Sequence, residues 1–202
     1  MEKRILKLQD MKIREAENGN PIIEGYFAKF NEPYEVCPGW IETIKPGAFS
    51  EYLRSGKETK VLWNHNSDIV LGSRSNGTAV LKEDEIGLFG SVEINKNDTD
   101  AMNAYERIKR RDVTGCSFGF DIKKWSESYD EDGTYRTEIE IVSPLYEVSP
   151  CTFPAYESTE IHTRNKDRLE TAVKEHKKRS FEKWKAQIQT KLRKENGKLI
   201  WH

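Results

Sequence analysis

Two short motifs hold the residue types that nucleophilic catalysis needs: the serine of Gly-Cys-Ser-Phe-Gly-Phe at 115–120 and the histidine of Trp-Asn-His-Asn at 63–66. A serine hydroxyl attacks a carbonyl only when a base takes its proton and fixed donors receive the oxyanion. Histidine suits the base because it titrates near neutrality. Of the four histidines, His176 lies among charged neighbours, His202 is the final residue and His162 follows the last strand-like stretch. His65 alone ends an apolar, strand-like segment, where a side chain can be held rigidly. Ser117 stands between Gly115 and Gly119, and such small flanks let a substrate backbone approach. The pattern differs from the GxSxG elbow, whose serine precedes a helix, because Ser117 follows one. On residues alone, a strand serine beside a glycine bulge is the competing reading.

A third group should orient the imidazole and stabilise its cation. Glu147, in Leu-Tyr-Glu-Val-Ser-Pro, interrupts an otherwise apolar strand, an unusual place for a carboxylate without a partner. The plain alternative is an edge-strand charge facing solvent. Asp68, near His65 in sequence, reads as the start of a turn. Glu83, Asp84, Glu85, Asp130, Glu131 and Asp132 read as solvated turn charges. Cys116 is a rival nucleophile. Adjacent strand side chains point to opposite faces, so only one of Cys116 and Ser117 can meet His65. Cys37, Cys116 and Cys151 are odd in number and widely spaced, which argues against a disulfide framework and lacks zinc-site spacing. No metal site and no cofactor are implied.

The elements that must position these residues are mostly strands. IIEGYFAKF (22–30) reads as a bent or bulged strand, and NEPYEVCPGW (31–40) as a loop. A short helix is expected from Ala48, after the break at Lys45-Pro46-Gly47. KVLWNHN (60–66) reads as a short strand ending in polar residues. Residues 68–94 offer three strands, with Asn76-Gly77 a hairpin turn between two of them and Lys82–Gly87 a looser one. Asp98 and Thr99 can cap a helix whose buried stripe is Ala101, Met102, Ala104, Tyr105 and Ile108. Then follow a glycine-containing strand (113–125), an exposed hairpin connection (126–136) and an extended stretch (137–156). From Ser158 helix formers take over, with Leu169, Val173, Phe181, Trp184, Ile188 and Leu192 at roughly helical spacing.

The chain has 202 residues, 36% hydrophobic and 10% aromatic, which suits one core. No apolar run is long enough to span a bilayer, and the charged N-terminus lacks the apolar stretch of a signal peptide. Net charge is −1 but unevenly spread. From residue 161 onward 13 Lys+Arg face 5 Asp+Glu, a surplus of +8, whereas the first 160 residues hold 20 against 29. A basic tail on an acidic body suggests a segment that works separately, against an acidic partner or as a removable piece.

Taken in order, IEGYFAKFNEP, IKPGAF, VLWNHN, LGSRSNGTAVLKEDEIGLFGSVEI, IKRRDVTGCSFGF and LYEVSPCTFPAY resemble the prohead proteases of tailed phages, over about residues 20–160. The resemblance implies a serine endopeptidase with a fold related to herpesvirus assembly proteases: α+β, mainly β, a small closed or partly closed β-barrel with flanking helices and a helical C-terminal tail. It divides the chain into an N-terminal extension or first strand (1–20), a protease domain (21–160) and a basic tail (161–202). The histidine of the WNH motif falls on His65, the serine of GxSFGF on Ser117 in preference to Cys116, and the acidic residue of LxEVSP on Glu147. Herpesvirus enzymes use a second histidine as third member, which leaves His162 as the alternative to Glu147. They also use an arginine pair downstream of the serine for the oxyanion. No such pair follows Ser117, so main-chain N–H groups near Phe118 and Gly119 are the candidates. The resemblance further implies cleavage of the scaffold, or of the scaffolding arm of the major capsid protein, and of the chain itself, inside the immature capsid in the host cytoplasm, with a homodimer as an analogy-based expectation.

Two other readings set the contrast. A non-catalytic internal scaffold or capsid-binding protein would use the basic helical tail for docking. A nucleic-acid role for the tail lysines and Trp184 is disfavoured, because the aromatics serve the packing stripe and the body is acidic.

Overall fold

The computed structural model describes residues 2–7 and 11–152, together with the helical positions Thr171, Lys174 and Lys178. In chain order the elements are β1 (Glu2–Lys7), β2 (Lys12–Glu15), β3 (Pro21–Lys29), β4 (Tyr34–Cys37), β5 (Trp40–Ile44), α1 (Ser50–Arg54), β6 (Lys60–Trp63), β7 (Asn66–Ser73), β8 (Ala79–Glu83), β9 (Gly87–Glu93), α2 (Thr99–Lys109), β10 (Gly115–Tyr129) and β11 (Tyr135–Cys151). The mainly-β character follows from the β-branched and aromatic runs with period two.

The strands form two open sheets rather than a barrel. The larger runs β1-β10-β11-β5-β4, with β6 joined to β11 and β7 to β6, and the smaller runs β2-β3-β9-β8. β1 and β4 end the larger sheet without meeting, so the expected closed or partly closed barrel of herpesvirus-protease type is overturned. The physical reason lies in β11. Its first half pairs in parallel with β5 (Tyr135↔Trp40 to Ile139↔Ile44) and its second half with β6 (Glu147↔Lys60, Val148↔Val61). One strand therefore serves two different neighbours along one side, and the sheet branches instead of closing. The expected helical tail, with His162, His176 and His202, lies outside the described residues, apart from the three positions named above.

Several local expectations change as well. The stretch 31–40 contains β4, paired antiparallel to β5, not only loop. β10 continues to Tyr129, which places 126–129 in the ladder opposite β11. The Asn76-Gly77 turn is tight, with Gly77 at φ 73° and its N–H on the Arg74 carbonyl at 3.1 Å, but it is no hairpin. β7 pairs with β6 and β8 with β9, so this turn carries the chain from one sheet to the other. The looser turn before Gly87 is the true hairpin. β3 shows the anticipated irregularity, a register shift between Tyr26 and Ala28.

α2 begins as its sequence requires: Asp98 Oδ1 accepts from the N–H groups of Asp100 and Ala101 at 3.0 and 3.1 Å, and Ala101, Ala104, Tyr105 and Ile108 are buried. α1 has no cap of its own. Glu83 of β8 supplies one, accepting from the Gly47 and Phe49 N–H groups and the Ser50 hydroxyl. The core between the sheets includes Phe27, Phe49, Leu88, Phe118, Phe120, Leu145 and Val148. Phe118 stacks on Phe120 with ring centroids 4.7 Å apart, and Phe49 meets Phe118 edge-on at 5.9 Å.

Candidate active site

β10 alternates two kinds of residue over 115–120. Cys116, Phe118 and Phe120 face the core, while Gly115, Ser117 and Gly119 form a floor of small residues on the other face. β11 lies antiparallel beside it in regular register, with Gly115 opposite Cys151, Ser117 opposite Ser149 and Gly119 opposite Glu147. Residues directly opposed in an antiparallel pair share a face, so Ser117, Ser149 and Glu147 project to the same side. All three are buried: Ser117 and Ser149 have no exposed surface, and Glu147 retains 4%.

His65 reaches this face from a two-residue turn. Trp63 of β6 pairs with Asn66 of β7, and the intervening Asn64 and His65 have φ of 51° and 60°. Two successive positive φ angles describe the mirror-image turn that fits a twisted hairpin, and Asn and His are among the few residues that accept it. The turn is clasped to the end of β11. The Asn64 N–H donates to the Pro150 carbonyl at 3.1 Å, its side-chain amide to the Thr152 hydroxyl at 3.1 Å, and the Thr152 N–H returns to Asn64 Oδ1 at 2.8 Å. His65 therefore sits in the turn itself, not at the end of a strand. Asn64 was the available signal, since asparagine before a second turn residue favours this geometry.

Nδ1 of His65 lies 2.7 Å from Oε1 of Glu147, with the two side chains 15% and 5% exposed. Beside a carboxylate, Nδ1 carries the proton, which leaves Nε2 with its lone pair as an acceptor. Among the described residues two buried side-chain polar atoms lack a hydrogen-bond partner: Nε2 of His65 and Oγ of Ser117. Asp68 is elsewhere, in the exposed part of β7, with its N–H on Asn66 Oδ1. Cys116 points into the core, where burial first and the nearby Cys151 second push its thiol well above the ordinary cysteine range. Phe118 and Gly119 lie mid-strand, registered to β1 on one side and to β11 on the other. A strand paired along both sides has its N–H groups committed to ladders, so a free donor here must come from the register shift between Gly119 and Phe120. Ser149 went unremarked in the sequence. Its signal was position: two residues beyond Glu147 on a strand means the same face.

The family model of the caudovirus prohead serine proteases matches residues 9–175. The chain belongs to that family. It is 29% identical over 153 residues to the prohead protease of Enterobacteria phage HK97, a match covering 74% of this chain. The chain spans 63% of that relative's length. No solved structure matches it. The matched span includes all the motifs that carry Ser117, His65 and Glu147, and it runs beyond the end of β11. Among the described residues no helix is long and apolar enough to cross a membrane.

Proposed function

We propose that this chain is a serine endopeptidase of capsid maturation, with Ser117 as nucleophile, His65 as general base and Glu147 as the group that orients the imidazole. The observation that carries the reading is the pair of unpartnered buried atoms. Burying a polar atom without a partner costs about 1–3 kcal/mol, and here both such atoms belong to the two groups that acyl transfer needs to meet. They arise from elements 52 positions apart in sequence, on one face of one sheet.

In the reaction, Nε2 of His65 takes the Ser117 proton as Oγ bonds to the scissile carbonyl carbon. The proton then passes to the leaving amine as the C–N bond breaks, leaving an acyl-enzyme. Water, deprotonated by the same Nε2, attacks the ester, and the proton returns to Ser117 Oγ as the acid departs. Glu147 keeps the Nδ1 proton in place and offsets the charge of the imidazolium. Gly119, beside the register shift, is the proposed source of the oxyanion donor, whereas Phe118 lies in regular register on both sides.

The family's work on immature capsids makes the scaffold, or the scaffolding arm of the major capsid protein, the proposed substrate, with self-cleavage alongside it inside the prohead. A fluorophosphonate probe tests the chemistry without knowledge of the substrate. It should attach to Ser117, and attachment should vanish in Ser117→Ala and His65→Ala. Coexpression of Ser117→Ala with the capsid protein of the same phage should leave both chains uncut. Unchanged processing in that variant overturns the reading and favours a non-catalytic scaffold or another nucleophile.

A further inference from the structure

The catalytic assignment leaves one buried polar side chain of the same face without a role. Ser149 lies on β11 two residues beyond Glu147, has no exposed surface, and stands directly across the ladder from Ser117. Its hydroxyl donates to Oε2 of Glu147 at 2.5 Å, the oxygen that does not hold His65. Ser149 Oγ in turn accepts the main-chain N–H of His65 at 3.3 Å. One hydroxyl therefore fixes both partners of the imidazole–carboxylate pair, the acid through its second oxygen and the histidine through its backbone.

We propose that Ser149 is the positioning residue of the site, holding the carboxylate plane so that Oε1 stays on Nδ1 and pinning the left-handed turn that aims Nε2 at Ser117. The inference rests on the proposed catalytic reading. Its physical basis is the freedom each partner would otherwise have. A carboxylate held by one oxygen can rotate, whereas one held at both cannot. A histidine at positive φ stays there only while its surroundings over-determine it. The hydroxyl's hydrogen bonds go to His65 and Glu147, so its action runs through those two residues.

The test compares Ser149→Ala and Ser149→Cys with the unaltered full chain, using the fluorophosphonate probe and the NMR signal of the His65 Nδ1 proton. Losing a hydrogen bond to a charged group should lower the maximal labelling rate kinact about tenfold to a hundredfold with the half-saturating probe concentration unchanged. The Nδ1 proton signal should move upfield and exchange faster with solvent. Cysteine, of similar size but a weaker donor, should fall between serine and alanine, whereas a packing role would rank it with or above serine at this buried position. Cysteine also carries the test should the alanine variant fail to fold. An unmoved proton signal together with an unchanged kinact in either folded variant overturns the proposal. Persistent labelling in Ser117→Ala would instead overturn the catalytic reading, and the proton signal would still decide what Ser149 holds.

Discussion

Glu147 and His65 meet at 2.7 Å although one lies in the middle of β11 and the other in the turn that joins β6 to β7. β6 brings them together. It runs parallel to the second half of β11, with Lys60 beside Glu147 and Val61 beside Val148, and then turns back at Asn64-His65 over the face that Glu147 occupies. The two side chains are 15% and 5% exposed, so this is a nearly enclosed hydrogen bond whose fixed geometry is the asset.

Glu147→Gln keeps the shape of the side chain and removes its charge. Probe labelling of Ser117 should fall by about three to four orders of magnitude, the scale seen when a triad carboxylate is amidated. The melting temperature should change much less than in Glu147→Ala, which leaves buried donors without an acceptor at a cost of about 3 kcal/mol. Labelling kinetics with parallel thermal melts check both. Labelling within a few-fold of the unaltered chain in the glutamine variant would remove Glu147 from the mechanism.

The clasp between Asn64 and Thr152 should matter through aim. Asn64→Gly accepts the positive φ but loses both side-chain bonds to Thr152. Stability should drop by about 1 kcal/mol, while labelling falls about tenfold or more because the turn that carries the imidazole is no longer clasped to β11. Asn64→Val adds strain at positive φ and should be worse on both counts. Urea unfolding and labelling rates measured on the same preparations decide it.

Cys116 should be inert. Its thiol is held protonated by burial at neutral pH, on the core side of β10. Iodoacetamide should leave it unmodified in the folded protein and leave labelling of Ser117 unchanged, as read by peptide mass mapping. Loss of labelling that tracks carbamidomethylation of Cys116 would reopen a cysteine mechanism.

Glu58 should set part of the acid stability. Burial pushes its carboxyl up, but hydrogen bonds from Ser75, Lys60 and Ser73 outweigh this and hold it down to about 2. Through them it ties the Ser73–Ser75 turn, where the chain changes sheets, to the start of β6. The folded value lies below the unfolded one. Its stabilisation is therefore full above the unfolded value near 4.5 and is lost as pH falls through about 2. Glu58→Gln should be less stable at pH 7, with the gap to the unaltered protein closing between about pH 4.5 and pH 2. Denaturant titrations at pH 7 and pH 3 read the gap, and a constant difference would refute the assignment.

Local chemistry determined much of what could be read without coordinates. The Asp98 cap and its apolar stripe specify α2, period-two runs specify the strands, and the glycines at 115 and 119 mark a strand that another backbone can approach closely. The motifs around residues 65, 117 and 147 carried the resemblance to the family. Sequence could not say which strands pair, because β-pairing depends on partners distant in the chain and each strand presents two equivalent edges. Tertiary structure alone decided that β11 divides its side between β5 and β6, that the sheets stay open, and that the Asn76-Gly77 turn joins two sheets. It also decided that the carboxylate of Glu147 is buried against His65 and that Ser149 holds them both. Those relationships are set by register across strands, and register is a property of packed faces, not of any single segment.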